Sequence, residues 1–242
     1  MFYDLIRSLL LSPKNVKLFE RKIDCEGLIM DIIVDTADLK IRRLVLSRWR
    51  VNSYILICPK TGISALIDVP PEASELIKSL DGTQTKYILL THGHIDHIAG
   101  LGGVISRIKA PLAIHPGDRE RLEIKPGLLL QDNEVIEVGN IKVKVLFTPG
   151  HTVGSVCFLI GEHLISGDTL FPGGPGRTDS PPDFQQILKS LREKIFVLPD
   201  ETQVYPGHGL FTTLKKEKVE FAVFSSRSHD PGLFGDVSWL KS

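Results

Sequence analysis

Cysteine is scarce in this chain. Its three copies, Cys25, Cys58 and Cys157, are far apart, and no C-x-x-C occurs. That excludes a zinc ribbon and a paired redox motif. The odd, low count fits a reducing compartment, so a cytoplasmic location is expected. A surplus of charge is missing too: Lys plus Arg and Asp plus Glu number 29 each. No net field draws the chain to nucleic acid or to an acidic membrane surface. No apolar run is long enough to span a bilayer, so no stable membrane insertion is expected. The opening residues 1–11 are apolar, but Asp4 and Arg7 interrupt them, and the basic start and small-residue cleavage site of a secretory signal are lacking. They read as an amphipathic helix at 2–11 packed on the body, with a membrane-surface or dimer contact as the alternative. Linkers and low-complexity tracts are absent as well. The chain therefore reads as one domain at 41–242 with an N-terminal extension, 1–40, packed on it.

What is present is ordinary globular composition, 42% apolar and 24% charged in 242 residues, enough for a sizeable core. Runs rich in Ile, Leu and Val predict strands near 28–34 and at 41–47, 51–57, 63–68 and 86–91. Later strands are expected at 134–138, 141–147, 155–160, 163–166 and 203–205. Helices are expected after Pro70-Pro71, at 183–197 with Phe184, Ile187, Leu188 and Leu191 inward, and at 215–224. Strands and helices alternate throughout, so the class is α/β or α+β. Two strands followed by Asp recur, ending at Asp68 and at Asp168, which suggests two similar halves facing each other.

Five of the eight histidines fall in three short Gly-flanked motifs: His92-Gly-His94-Ile-Asp96-His97, Pro149-Gly-His151 and Pro206-Gly-His208. Gly167-Asp168 adds a second carboxylate. Imidazole and carboxylate suit a divalent metal. Seven donors exceed one tetrahedral ion and fit two ions sharing a ligand. Each donor follows a predicted strand, so all can converge on one rim. In extended backbone His92 and His94 point to the same side. Asp96 and His97 come a turn later and can open a helix aimed at a second ion.

The motif H-x-H-x-D-H, followed by separated His, Asp and His, resembles the metallo-β-lactamase-fold hydrolase superfamily. Ser166-Gly-Asp-Thr-Leu-Phe171, Gly176-Arg-Thr-Asp179 and Tyr205-Pro-Gly-His-Gly209 are similar to the glyoxalase-II-like (hydroxyacylglutathione hydrolase-like) branch. The resemblance implies a four-layer αββα sandwich of two mixed sheets flanked by helices. It implies His92, His94 and His151 on one ion, Asp96, His97 and His208 on the other, and Asp168 bridging. Two divalent ions are implied, zinc first, with iron or manganese as alternatives. A metal-bridging hydroxide, oriented by Asp96, would then cleave a small-molecule acyl thioester or ester. A homo-oligomer is compatible with the sequence.

Beside the ligands, Asp68 either accepts a hydrogen bond from a ligand imidazole or caps its strand. Arg177 either pairs with Asp179 or contacts an anion. Tyr205 is a packing residue or a substrate neighbour. His115, His163 and Cys157 read as structural, and Lys215, Lys216 and Lys218 as a solvated face. Only residues 209–242 follow His208, so the longer helical region that contacts glutathione in glyoxalase II is expected to be shortened or replaced, with residues 1–40 as an alternative wall. One competing reading is a persulfide dioxygenase with one iron held by His92, His151 and Asp168, but Pro206-Gly-His-Gly followed by Thr-Thr favours the hydrolase. The other is a non-catalytic, metal-stabilised binding module.

Overall fold

Chain-adjacent strands pair in sequence order to build the first sheet. It runs β1 (Arg21–Ile23), β2 (Ile29–Asp35), β3 (Lys40–Leu46), β4 (Val51–Ile57), β5 (Ile63–Ile67), β6 (Gln84–Leu89), β7 (Leu112–Ile114) and β8 (Leu128–Leu129). Helix α1 (Ala73–Ser79) lies between β5 and β6. Helices α2 (Ile95–Ile98) and α3 (Leu101–Arg107) lie between β6 and β7. The second sheet takes β9 (Val135–Val138), β10 (Ile141–Phe147), β11 (Val156–Ile160) and β12 (His163–Gly167). A small hairpin of β13 (Leu170–Phe171) and β14 (Gly174–Pro175) and helix α4 (Pro181–Ser190) follow. Then β15 (Gln203–Pro206) and β16 (Thr212–Thr213) complete the second sheet, and α5 (Leu214–Ser225) closes the helical layer. This computed structural model describes residues 21–23 and 29–242; the helix expected at 2–11 and Cys25 lie outside the described residues.

The layering follows from which strand faces are apolar. Ile41, Tyr54, Leu56 and Ile67 of the first sheet meet Val143, Val145, Phe158 and Ile165 of the second in the inter-sheet core. The outer face of the first sheet buries Leu66 and Ile88 against Leu76 of α1 and Val104 of α3. The outer face of the second buries Cys157 and Val204 against Phe184 and Ile187 of α4 and Phe221 of α5. Each such aliphatic or aromatic side chain contributes roughly 1.5–3 kcal/mol on burial. The result is the αββα sandwich. The described part of the 1–40 segment, β1 and β2, extends the first sheet antiparallel to β3.

Two stretches differ from the helices expected. The helix opened by Asp96 and His97 stops at Ile98, because Gly100 donates its N–H to the Val69 carbonyl and the chain restarts as α3. A Cβ on Gly100 would lie 2.1 Å from the Pro70 oxygen, so this crossing needs glycine. The helix expected at 183–197 begins earlier, at Pro181, where the Ser180 hydroxyl caps Asp183 N–H, and loosens into a π-helical turn at Leu191–Ile195. Cys157 is buried, and burial pushes its thiol up to about 11, as a small core residue requires. The lysine run on α5 is paired rather than only solvated: Lys216 reaches Glu220 at 2.9 Å and Lys218 reaches Asp200 at 2.6 Å.

Candidate metal centre

Parallel pairing decides where the histidines gather. β5 and β6 are parallel, so Asp68 and the His92 loop leave the first sheet at one edge. β12 and β15 are parallel, so Asp168 and His208 leave the second sheet together. The sheets are tied at this edge by Val156 N–H donating to the Thr91 carbonyl, 2.8 Å, and by Asn52 N–H donating to the Gly207 carbonyl, 2.7 Å. The His208 turn is held further by the first sheet. Tyr54 Oη donates to the Pro206 carbonyl, 2.7 Å, and Asn52 Nδ2 donates to the carbonyls of Pro206 and Gly209.

All seven expected donors converge. His92, His94 and His151 form one group, His92, His97 and Asp168 a second, and Asp96, His97 and His208 a third, with the donor atoms of each within 4.8 Å of one another. Asp168 sits centrally: Oδ1 is 3.5 Å from His97 Nε2, and Oδ2 is 3.6 Å from both His151 Nε2 and His208 Nε2. Asp96 Oδ2 is 3.2 Å from His208 Nε2. Gly207 allows this closeness, since a Cβ there would lie 2.2 Å from Asp168 Oδ1.

The second nitrogen of each ring explains the arrangement. His151 Nδ1–H donates to the Arg177 carbonyl, 2.8 Å, and His208 Nδ1–H to the Trp49 carbonyl, 3.0 Å. His97 Nδ1–H donates to Asp68 Oδ2, 2.8 Å. Thr91 gives its hydroxyl proton to the same Asp68 oxygen, 2.7 Å, leaving its own oxygen to accept from His92 Nδ1, 3.0 Å. Four imidazoles thus have Nδ1 engaged and Nε2 turned to the common space. There His92 Nε2, His151 Nε2 and Asp168 Oδ1 are buried without any hydrogen-bond partner, and His97 Nε2 faces His208 Nε2 at 3.2 Å. Buried orphan atoms are rare and need a cause. Facing lone pairs repel unless a proton or cation lies between them.

Electrostatics agree. Burial, then the neighbouring imidazoles, holds His92 well below the usual imidazole value. Burial also lowers His94. Burial opposes the charge of His97, but Asp168 and Asp68 outweigh it and raise the ring to about 9. At Asp96 burial works against ionisation, yet the His208 hydrogen bond and His97 bring it down to about 2. Anions here hold protons on neighbouring rings; a metal cation would displace those protons.

The remaining candidates separate. Asp68 is a hydrogen-bond partner of His97, the first of its two readings. The Arg177 guanidinium lies only 4.0 Å from Asp179 with both side chains exposed, and its carbonyl, which sequence could not single out, orients His151. Tyr205 does not join the cluster: it lies in the inter-sheet core, its hydroxyl bonded to His163 Nδ1 at 2.9 Å. His115 caps the turn at Pro116–Arg121 and stacks on Phe147.

One residue escaped the sequence reading. Asp118 is fully buried; Oδ2 accepts from Gly93 N–H, 2.8 Å, and Thr152 Oγ1, 2.7 Å, and Oδ1 accepts from Gly154 N–H, 3.0 Å. It ties the His92–His94 loop to the loop after His151. In sequence it is one acid in a charged turn, Pro-Gly-Asp-Arg-Glu-Arg, indistinguishable from a solvated one. Asp118→Ala strands two buried N–H groups and should cost about 2–4 kcal/mol of stability in urea unfolding. A change under about 0.5 kcal/mol would show that Asp118 is no clamp.

A cluster of this chemistry at the rim of an αββα sandwich defines a metal-binding hydrolase. The chain belongs to the metallo-beta-lactamase superfamily, whose pattern matches residues 47–208. It is similar to hydroxyacylglutathione hydrolase of Pelagibacter ubique, 34% identical over 160 residues covering 64% of this chain and 65% of that protein, so the match spans about two thirds of that relative. Among solved structures it is similar to ETHE1 from Myxococcus xanthus: 30% identity, TM-score 0.64, covering 74% of this chain and 81% of that one. It is also similar to TTHA1623, solved in a di-iron-bound form: 29% identity, TM-score 0.61, covering 73% and 96%. No helix among the described residues is long and apolar enough to cross a membrane.

Proposed function

We propose that this protein is a binuclear metal-dependent hydrolase of small acyl thioesters or esters, of the hydroxyacylglutathione kind. The observation that carries this is the pair of Nε2 atoms of His97 and His208 at 3.2 Å, each ring already engaged at Nδ1, beside the orphaned His92 Nε2, His151 Nε2 and Asp168 Oδ1. These residues fit two cations: His92, His94 and His151 on one, Asp96, His97 and His208 on the other, and Asp168 between. Zinc suits the set, as do iron and manganese, and the di-iron-bound relative supports keeping iron in view. Bound ions of this type lower the pKa of a coordinated water toward about 7 and polarise an acyl oxygen.

The chain's own groups supply orientation. Asp68 keeps the proton of His97 on Nδ1, and the carbonyls of Arg177 and Trp49 do the same for His151 and His208. Asp96, partly exposed beside His208, accepts a hydrogen bond from the attacking water and turns its lone pair to the acyl carbon. Water adds at that carbon, the carbon–sulfur or carbon–oxygen bond breaks, and a carboxylic acid and a thiol or alcohol leave. A cleft of about 360 Å³ opens beside His151 and Asp168 to take the rest of the substrate.

The test pairs metal analysis with two assays, thioester hydrolysis and oxygen uptake with glutathione persulfide. Two ions per chain with thioester cleavage, abolished by a chelator and restored by metal, is the expected result. One iron per chain with oxygen uptake would put a mononuclear dioxygenase in its place. Two ions with no turnover of any thioester, ester or lactone would leave a metal-stabilised binding module.

A further inference from the structure

Two glycines flank His208, so the turn 206–209 has little stiffness of its own. Gly209 leaves it at φ 72°, in the left-handed region. The first sheet supplies the pins. Asn52 and Tyr54 reach the carbonyls of the turn from β4, and a third pin comes from β3. Arg43 Nη1 donates to the Gly209 carbonyl, 3.4 Å. Its guanidinium lies over the ring of Phe211, 4.4 Å from the centroid. Phe211 in turn packs edge-on against Tyr205, 4.9 Å between centroids, at the inter-sheet core.

Arg43 is itself held by a buried partner. Asp31 of β2 stands directly opposite it in the sheet, with Tyr54 of β4 on the other side. Asp31 Oδ2 accepts from Arg43 Nη2. The pair is almost dry: Asp31 is 4% exposed and Arg43 8%. Desolvation of two charges offsets most of their attraction, so such a pair contributes little net stability over apolar residues of the same size. What it offers is direction. Asp31 takes one arm of a planar fork, and the other arm and the ring face are left for Gly209 and Phe211. A lysine ammonium could not serve all three. Asp31, Arg43 and Phe211 all lie outside residues 47–208, the stretch that carries the superfamily pattern.

We propose that Asp31 and Arg43 are positioning residues for the metal centre: through Gly209 and Phe211 they fix the His208 turn, and with it the ion that Asp96, His97 and His208 would hold. Asp31 belongs to the N-terminal extension, which thereby acts on the site through the first sheet. The metal half of this rests on the two-ion reading; the turn half does not.

The full chain carrying both Asp31→Leu and Arg43→Met tests it. Apolar side chains replace the pair, so the urea midpoint should equal or exceed the parent's. Yet Asn52 N–H, which donates to the Gly207 carbonyl, should exchange with deuterium about tenfold faster, while Val156 N–H, which ties the sheets at Thr91, keeps its rate. Competition with a chromophoric chelator should show one ion bound about tenfold more weakly and the other unchanged. Arg43→Lys keeps the charge beside Asp31 but not the fork. It serves where the double variant does not fold, and should show the same two local losses. Parental exchange at Asn52 in a folded variant, or parental affinity for both ions in a chain that holds two, would overturn the proposal. So would equal acceleration at Asn52 and Val156, the mark of general loosening. Exchange needs no metal, so a chain that takes up one ion, with Asn52 alone accelerated, would remove the two-ion reading and leave the brace.

Discussion

Asp168→Ala should hold no more than one metal ion per chain and lose at least about 10³-fold in kcat/KM, some 4 kcal/mol of transition-state stabilisation. Asp168 faces both halves of the centre: one oxygen lies 3.5 Å from His97 Nε2, the other 3.6 Å from His151 Nε2 and His208 Nε2. Without it, two dications would be left with Asp96 as their one directly placed anion, and the repulsion between them would go uncompensated. Asp168→Asn separates charge from shape. It keeps the volume and should lose metal as Asp168→Ala does. Since Oδ1 has no hydrogen-bond partner, neither change removes a bond the fold depends on, and chelator-treated variants should melt near the chelator-treated parent. Metal content by plasma emission and kcat/KM on a thioester check both. Asp168→Ala with two ions and full activity would end the bridging assignment.

The seven convergent donors were legible in sequence because their signature is local. A histidine flanked by glycine after an apolar strand marks a sheet edge, and parallel pairs such as β5–β6 and β12–β15 carry the edges together. What stayed hidden has no local signature. The carbonyls of Trp49 and Arg177, which set the free nitrogen of His208 and His151, belong to backbone that every residue has. Asp118 gains its meaning only from Gly93, Thr152 and Gly154, far away in sequence. Of the two readings of Tyr205 the packing one holds, because the alternation of β15 turns its ring into the inter-sheet core. The seat of segment 233–239 was hidden because Trp239 and Glu217 meet through Gly173 of another loop. The fold was more legible than its breaks: Gly100 ends a helix that periodicity would continue, for the sake of a close crossing over Val69 and Pro70.

Asp68→Ala should cost both stability and metal, whereas Asp68→Asn should cost mainly metal. Asp68 is buried at the end of β5 with φ 59°, a left-handed conformation that Asn shares with little strain and Ala does not. Its carboxylate accepts three hydrogen bonds: Thr91 N–H at 2.8 Å, Thr91 Oγ1 at 2.7 Å and His97 Nδ1 at 2.8 Å. Alanine leaves all three donors buried and unmatched, a loss of about 2–4 kcal/mol in urea unfolding. Asparagine can still accept from Thr91, but its neutral amide no longer fixes the proton on His97 Nδ1. His97 can then protonate Nε2, the atom facing Asp96, Asp168 and His208. Losing such a partner weakens metal binding by about 10–100-fold, so competition with a chromophoric chelator should show one of the two ions bound that much more weakly. His92 shares the effect through Thr91 Oγ1, which gives its proton to Asp68 in order to accept from His92 Nδ1. One carboxylate therefore sets the free nitrogen of His97 directly and that of His92 through Thr91. Parental affinity for both ions in Asp68→Asn would show that the rings are oriented by packing alone.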